Sequence, residues 1–213
     1  MQLHALCYYR SKSEDWTDSW TDRHYLARNL VKGVKRSEFG GFSLLRLVNG
    51  KSKRLDNTPE GQRAALAYAS QHLLTKLRDL GYSSAHLVPI PASNHVDPRA
   101  EFTGGRIADA IERRDPDFQA KCVLYFDTQQ RKSAAGGGRN STEIERHLRD
   151  TGVSGLRNVV LLDDVMTSGA HLRAGARYLA KKGIIVEDAL VVGRTTWTPK
   201  SSMFKCEVES ITV

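Results

Sequence analysis

No apolar run in this sequence approaches the ~20 residues that a membrane-spanning helix needs, so a membrane partner is not expected. Cysteine is scarce. Cys7, Cys122 and Cys206 lie far apart and form no Cys-x-x-Cys pair. That spacing argues against a structural zinc site, and the odd number argues against a disulfide framework. The histidines (His4, His24, His72, His86, His95, His147 and His171) show no metal-ligand spacing. Met1 to Arg10 lacks the basic start and long apolar centre of a signal peptide, which makes a cytoplasmic location the expectation. No internal repeat or linker divides the chain, so residues 1–213 are read as one domain, with 1–57 as an appended, hood-like region.

What is present is ordinary in bulk and basic in balance. Hydrophobic residues make up 40% and charged residues 26%, as in most globular proteins. Lys and Arg outnumber Asp and Glu by 32 to 24, for a formal charge of +8. Such a balance favours anionic ligands: phosphates, pyrophosphate or nucleic acid. It does not choose among them, and for most of these residues a solvated surface is explanation enough.

Strand-like and helix-like segments alternate. Gln2 to Arg10, Phe42 to Val48, Ala85 to Ile90, Lys121 to Asp127, Ile184 to Gly193 and Phe204 to Val213 read as strands. Asp22 is a candidate cap for a helix reaching Gly33 or Arg36, with Arg23, Arg28, Lys32, Lys35 and Arg36 as a basic side. Thr58-Pro59-Glu60 starts a helix carrying Leu66, Ala69, Leu73, Leu77 and Leu80, which Gly81 stops. A third helix follows Thr103, and a short fourth follows Asn140. The alternation predicts an α/β fold with a doubly wound, mainly parallel sheet. In such sheets ligands bind beyond the carboxyl ends of the strands.

One stretch organises the rest. Val159-Val160-Leu161-Leu162 reads as a strand buried on both faces. Asp163 and Asp164 follow, then Val165-Met166-Thr167-Ser168-Gly169-Ala170-His171, then a helix from Leu172 to Lys182. Loop N–H groups at a helix start hold a phosphate, and carboxylates accept bonds from sugar hydroxyls or hold a hard cation such as Mg²⁺. Two further loops follow strands and would meet this one: Pro91-Ala92-Ser93, and Thr128 to Asn140 with its glycine run and Arg131, Lys132 and Arg139. The long loop reads as a lid.

The stretch Val159 to His171 resembles the phosphoribosyl pyrophosphate (PRPP) signature of type I phosphoribosyltransferases, departing from it only at His171, where a hydroxyl residue is usual. The resemblance implies the type I phosphoribosyltransferase fold. It implies that Asp163 and Asp164 bind the ribose hydroxyls, with Mg²⁺ held by those carboxylates through the hydroxyls or water. It implies that Val165 to His171 wrap the 5′-phosphate. His86 to Ser93, with Arg99-Ala100-Glu101-Phe102 and Thr128 to Arg131, is similar to the branch related to competence protein F (ComF-like). Pro91, Ala92 and Ser93 then become the pyrophosphate loop, and Arg131, Lys132 and Arg139 the mobile loop over it. The branch's Arg-Gly-Phe-Asn-Gln sequence and amino-terminal zinc ribbon are not present.

The implied activity is transfer of a phosphoribosyl group from PRPP to an unidentified acceptor, with release of pyrophosphate. The alternative is a non-catalytic PRPP-sensing or nucleic-acid-binding module, since a fold does not fix function. A homodimer is among the expected partners. A metal-dependent phosphatase is disfavoured because no nucleophile or further ligand set accompanies the acid pair. Trp16 and Trp20 are candidates to stack on a base, with core packing the simpler role.

Overall fold

Val159 to Leu162 are almost inaccessible, as a strand covered on both faces requires. The computed structural model, which describes residues 1–10, 20–47, 50–130, 140–198 and 200–213, shows what covers them. Strand β8 (Val159–Met166) lies between β4 (Ala85–Pro89) and β9 (Asp188–Thr196), parallel to both. β1 (Gln2–Arg10) extends the sheet beyond β9, and β5 (Phe118–Ala120) extends it beyond β4, again in parallel. The short β10 (Glu209–Ser210) closes the far edge antiparallel to β1. The order is β10-β1-β9-β8-β4-β5.

Alternation along the strands divides the core in two. Val160, Leu162, Leu190, Val192 and Leu87 face α1 (Asp22–Lys35), α2 (Pro59–Asp79) and α3 (Thr103–Glu112). Val159, Leu161, Ala189, Val191 and Val88 face α5 (Ala170–Ala180) on the other side. Each fully buried Leu or Val contributes roughly 1.5–3 kcal/mol of transfer free energy, so the two layers clamp the sheet. This is the α/β, doubly wound, mainly parallel arrangement expected from the sequence. Among the described residues, no helix is long and apolar enough to cross a membrane.

Two small hairpins stand apart from the sheet. β2 (Ser43–Arg46) pairs with β3 (Ser52–Leu55), and β6 (Leu124–Phe126) pairs with β7 (Leu148–Asp150), both antiparallel. The short helix α4 (Ser141–His147) precedes β7, with the Asn140 side chain accepting from the Thr142 N–H at 3.0 Å. Thr58 caps α2 as expected, accepting from the Gly61 N–H at 3.1 Å.

Several boundaries differ from the sequence reading. The strand expected over Lys121 to Asp127 shortens to β6, which pairs with β7, and the strand that pairs with β4 is the earlier β5, which the sequence reading did not give. The expected C-terminal strand shrinks to Glu209–Ser210, the part that reaches β1. Thr21, not Asp22, caps α1: its backbone N–H donates to His24 Nδ1 at 3.1 Å. Part of the region set aside as a hood belongs to the sheet, since β1 pairs with β9 along nearly its whole length.

Helices α1 and α2 approach closely at Gly33, where an added Cβ would lie 2.7 Å from Ala65 Cβ and 3.3 Å from Leu55 Cδ1. Gly33→Ala adds helix propensity worth about 1 kcal/mol but overpacks this contact, at a typical cost of about 1–3 kcal/mol. The expected outcome is a net loss of stability in urea unfolding. A more stable variant would show that the two helices separate freely.

Candidate functional site

Successive side chains of a strand point to opposite faces, and this splits the acid pair at the end of β8. Asp163 follows the Val159–Leu161 side and lines a small concavity of about 30 Å³ with Val165, Thr167, Ser168, Gly169 and His171. Asp164 follows the Val160–Leu162 side, toward α1, and there Lys35 Nζ lies 3.1 Å from its Oδ2. The Asp164 N–H donates to Asp163 Oδ1 at 2.8 Å.

These surroundings set the protonation states. Burial pushes the Asp163 carboxyl well above the usual carboxylate range, and the neighbouring Asp164 charge adds to that. The Asp164 N–H and the Lys35 charge act the other way and do not prevail. For Lys35, burial works to lower the ammonium's pKa but is outweighed by Asp164, Asp163 and Tyr9, so it is raised.

The loop after β8 has the geometry of an anion cradle. Gly169, at φ 73°, is the N-cap of α5 in the left-handed region that favours glycine. A Cβ there would also lie 3.3 Å from both Met166 Sδ and Arg173 Nη1. Arg194 Nη1 donates to the Thr167 carbonyl at 2.6 Å, and Arg173 Nη2 to the Ser168 carbonyl at 2.8 Å. In a trans peptide the C=O and the following N–H point in opposite directions. With their carbonyls drawn to the two arginines, these peptides turn the Ser168 and Gly169 N–H groups the other way. Neither N–H meets a hydrogen-bond partner among the described residues. The Thr167 and Ser168 hydroxyls and the positive end of α5 complete the donor set. His171 is half-buried beside Phe126, with ring centroids 6.0 Å apart.

The loop after β4 emerges next to it, since Pro89 pairs with Leu162 and the Ile90 N–H donates to the Leu162 carbonyl at 2.8 Å. Pro91 leads into a turn over Ala92 to His95, closed by the His95 N–H on the Ala92 carbonyl at 2.8 Å and carrying Ser93 at its tip. The third loop reaches the same place: the Gln130 N–H donates to the Ser93 carbonyl at 2.6 Å, and the Phe126 N–H to the His95 carbonyl at 2.9 Å. The three strand-end loops therefore converge. Arg131, Lys132 and Arg139 lie outside the described residues, as does Trp16. Trp20 is engaged within the fold, with the Arg10 guanidinium 4.5 Å from its ring centroid and Tyr25 at 5.2 Å.

Sequence reading did not assign Lys35, Arg173, Arg194 or His95 to this site. Arg194 carried a signal, a charge within an otherwise buried strand; Nε of the same side chain also binds Glu209 at 2.8 Å. Arg173 carried one too, a cation in the first turn of a helix where the dipole disfavours it. His95 is buried against Phe102, its Nε2 without a partner among the described residues. Nothing local marks Lys35.

Among the described residues, no group of three or more His, Cys, Asp and Glu side chains is placed to hold a metal ion. Two carboxylates still suit Mg²⁺, which commonly takes one or two protein carboxylates and fills its shell with waters and substrate phosphates.

No protein-family model matches the chain, and no curated protein matches it. Among solved structures it is similar to Leishmania donovani UMP synthase, with 19% identity, TM-score 0.41 and 80% of this chain covered. The match spans 31% of that protein's length. It is similar to an adenine phosphoribosyltransferase, with 14% identity and TM-score 0.40 over 78% of this chain and 89% of the other. It is also similar to the Mycobacterium tuberculosis orotate phosphoribosyltransferase, with 14% identity and TM-score 0.37 over 78% and 94%. The functional reading rests on the side chains themselves.

Because the Asp163 carboxyl is raised in the folded state, the native protein holds its proton longer than the unfolded chain, whose Asp titrates near 4. Stability from this group is present below that pH and is lost as pH rises through the folded pKa. Asp163→Asn keeps an oxygen for the Asp164 N–H and removes the charge. Urea unfolding should find the variant more stable than wild type at pH 7.5, with the gap narrowing toward pH 4. An equal or lower stability at pH 7.5 would mean that the buried charge carries no cost.

Proposed function

We propose that this chain binds PRPP at the carboxyl edge of its sheet and transfers the phosphoribosyl group to an acceptor with release of pyrophosphate. The observation that carries the reading is the concavity lined by Asp163 and Val165 to Leu172. It joins a carboxylate, two hydroxyls, two N–H groups without a partner among the described residues, and a helix start within one continuous stretch. In this reading the 5′-phosphate lies against Thr167 to Ala170. The ribose hydroxyls lie toward Asp163, and toward Asp164 once Lys35 yields it. Pyrophosphate lies over Pro91, Ala92 and Ser93, and Arg131, Lys132 and Arg139, outside the described residues, are the cations proposed to meet it.

Departure of pyrophosphate from C1 develops positive charge on the sugar, as in glycoside chemistry. Asp163 and Asp164 flank that charge, and donors fixed at each phosphate end hold the two anions apart. Mg²⁺, held by the two carboxylates through the ribose hydroxyls or water, would neutralise phosphate charge and draw electrons toward the leaving group. The ComF-like affiliation and a cytoplasmic location belong to the same proposal.

One observation favours the non-catalytic, PRPP-sensing alternative. Lys35 occupies Asp164, so the acid pair is not open as a unit.

Calorimetry with PRPP and Mg²⁺ tests the site. The Asp163→Asn/Asp164→Asn double variant should bind at least about 100-fold more weakly, as expected when charge-assisted hydrogen bonds are lost. Equal binding by both proteins would sink the assignment. Pyrophosphate release with a panel of bases, amines and ammonia then separates transferase from sensor: release with any acceptor supports the enzyme, and tight binding without release supports the sensor.

A further inference from the structure

A second cavity, of about 310 Å³, lies where α1, α2 and α3 meet, and it shares no residue with the loop after β8. Its lining includes Val34, Pro59 and Leu66 and three guanidinium groups, Arg36, Arg63 and Arg106. Three cations around an apolar-walled recess need an account, because like charges brought together repel, and burial makes the Arg106 charge costlier still. Arg106 has only 11% of its side chain exposed. Burial lowers its pKa, and the neighbouring Arg36 charge adds to that.

Glu101 answers part of this charge, at 2.8 Å from Arg36 Nη1 and 3.3 Å from Arg106 Nη1. Arg106 also donates to the Val34 carbonyl at 2.9 Å and to Thr103 Oγ1 at 3.3 Å, so its guanidinium is fixed in place. Arg63 makes no ion pair among the described residues. It sits early in α2, at the positive end of that helix. The Asp164 charge also acts on Arg106, so two carboxylates face three guanidiniums and a cationic surplus remains at Arg63 and the exposed side of Arg36. The volume falls at the lower end of the roughly 300–1,000 Å³ of small-molecule pockets.

We infer that this cavity is a binding site for a small organic anion, an apolar or planar body carrying one carboxylate or phosphate group. The charged group meets Arg63 and the exposed side of Arg36, and the body lies against Val34, Pro59 and Leu66. Guanidinium forks suit both oxyanions bidentately and also stack on planar rings. The site does not depend on the PRPP reading, since no residue of the loop after β8 takes part in it.

Titration of the ¹⁵N-labelled full chain by NMR tests it, with benzoate and phenyl phosphate as probes and benzyl alcohol as the neutral control. Saturable binding of either anion, weakened about tenfold or more in Arg63→Glu as expected for a lost charge-assisted bond, supports the site, provided Asp163→Asn leaves it unchanged. Arg63→Gln, neutral and equally exposed, repeats the comparison without adding a charge. No saturation below about 10 mM, equal affinity for benzyl alcohol, or indifference to both Arg63 variants would overturn the inference. Loss of binding in Asp163→Asn would overturn it as well, by placing the anion at β8.

Discussion

Five strands running in one direction set the terms for everything else in this molecule. Parallel pairing delivers the chain to the same edge at the end of each strand and forces each return through a helix. The pairing of β4 with β8 therefore decides where the acid pair and the loop after β4 are placed, side by side. The 127–130 segment follows the separate β6–β7 hairpin, and the hydrogen bonds from Gln130 and Phe126 to the Ser93 and His95 carbonyls fasten it to that edge.

The same constraint puts charge in an expensive place. A strand buried on both faces ends in two carboxylates, and the surroundings respond on each side of the sheet. Toward α1, Lys35 meets Asp164. Toward α5, Asp163 forms no ion pair among the described residues and its acidity is weakened. Arg173 and Arg194 act on the backbone instead. By holding two carbonyls they fix the peptide planes of the loop, so the direction of the Ser168 and Gly169 N–H groups is set by side chains that need not touch a ligand.

The contiguous part of this was legible in the sequence. An apolar run, two acids, small hydroxyl residues and a helix are local features, and they occur in the order their composition predicts, although β8 runs on through the acid pair to Met166 and α5 spans Ala170–Ala180. Pairings between distant segments were not. Periodicity reports that Gln2–Arg10 is a strand but not that it lies beside Asp188–Thr196, so a region read as a hood is partly sheet. The run from Phe118 to Phe126 contains two short strands, and only tertiary partners assign Phe118–Ala120 to β4 and Leu124–Phe126 to β7. Lys35 looked like one of five basic residues on a helix face. Its distinction is geometric, arising because the last turn of α1 reaches the end of β8.

The Lys35–Asp164 pair gives the acid pair a tethered counterion. A covalently attached cation acts at an effective concentration on the order of millimolar. A free cation or a ligand hydroxyl arriving at Asp164 meets an exchange equilibrium and not a vacancy. Affinity there is a difference between two partners for one carboxylate, and the selectivity of that position depends as much on how readily helix α1 gives up its lysine as on what replaces it.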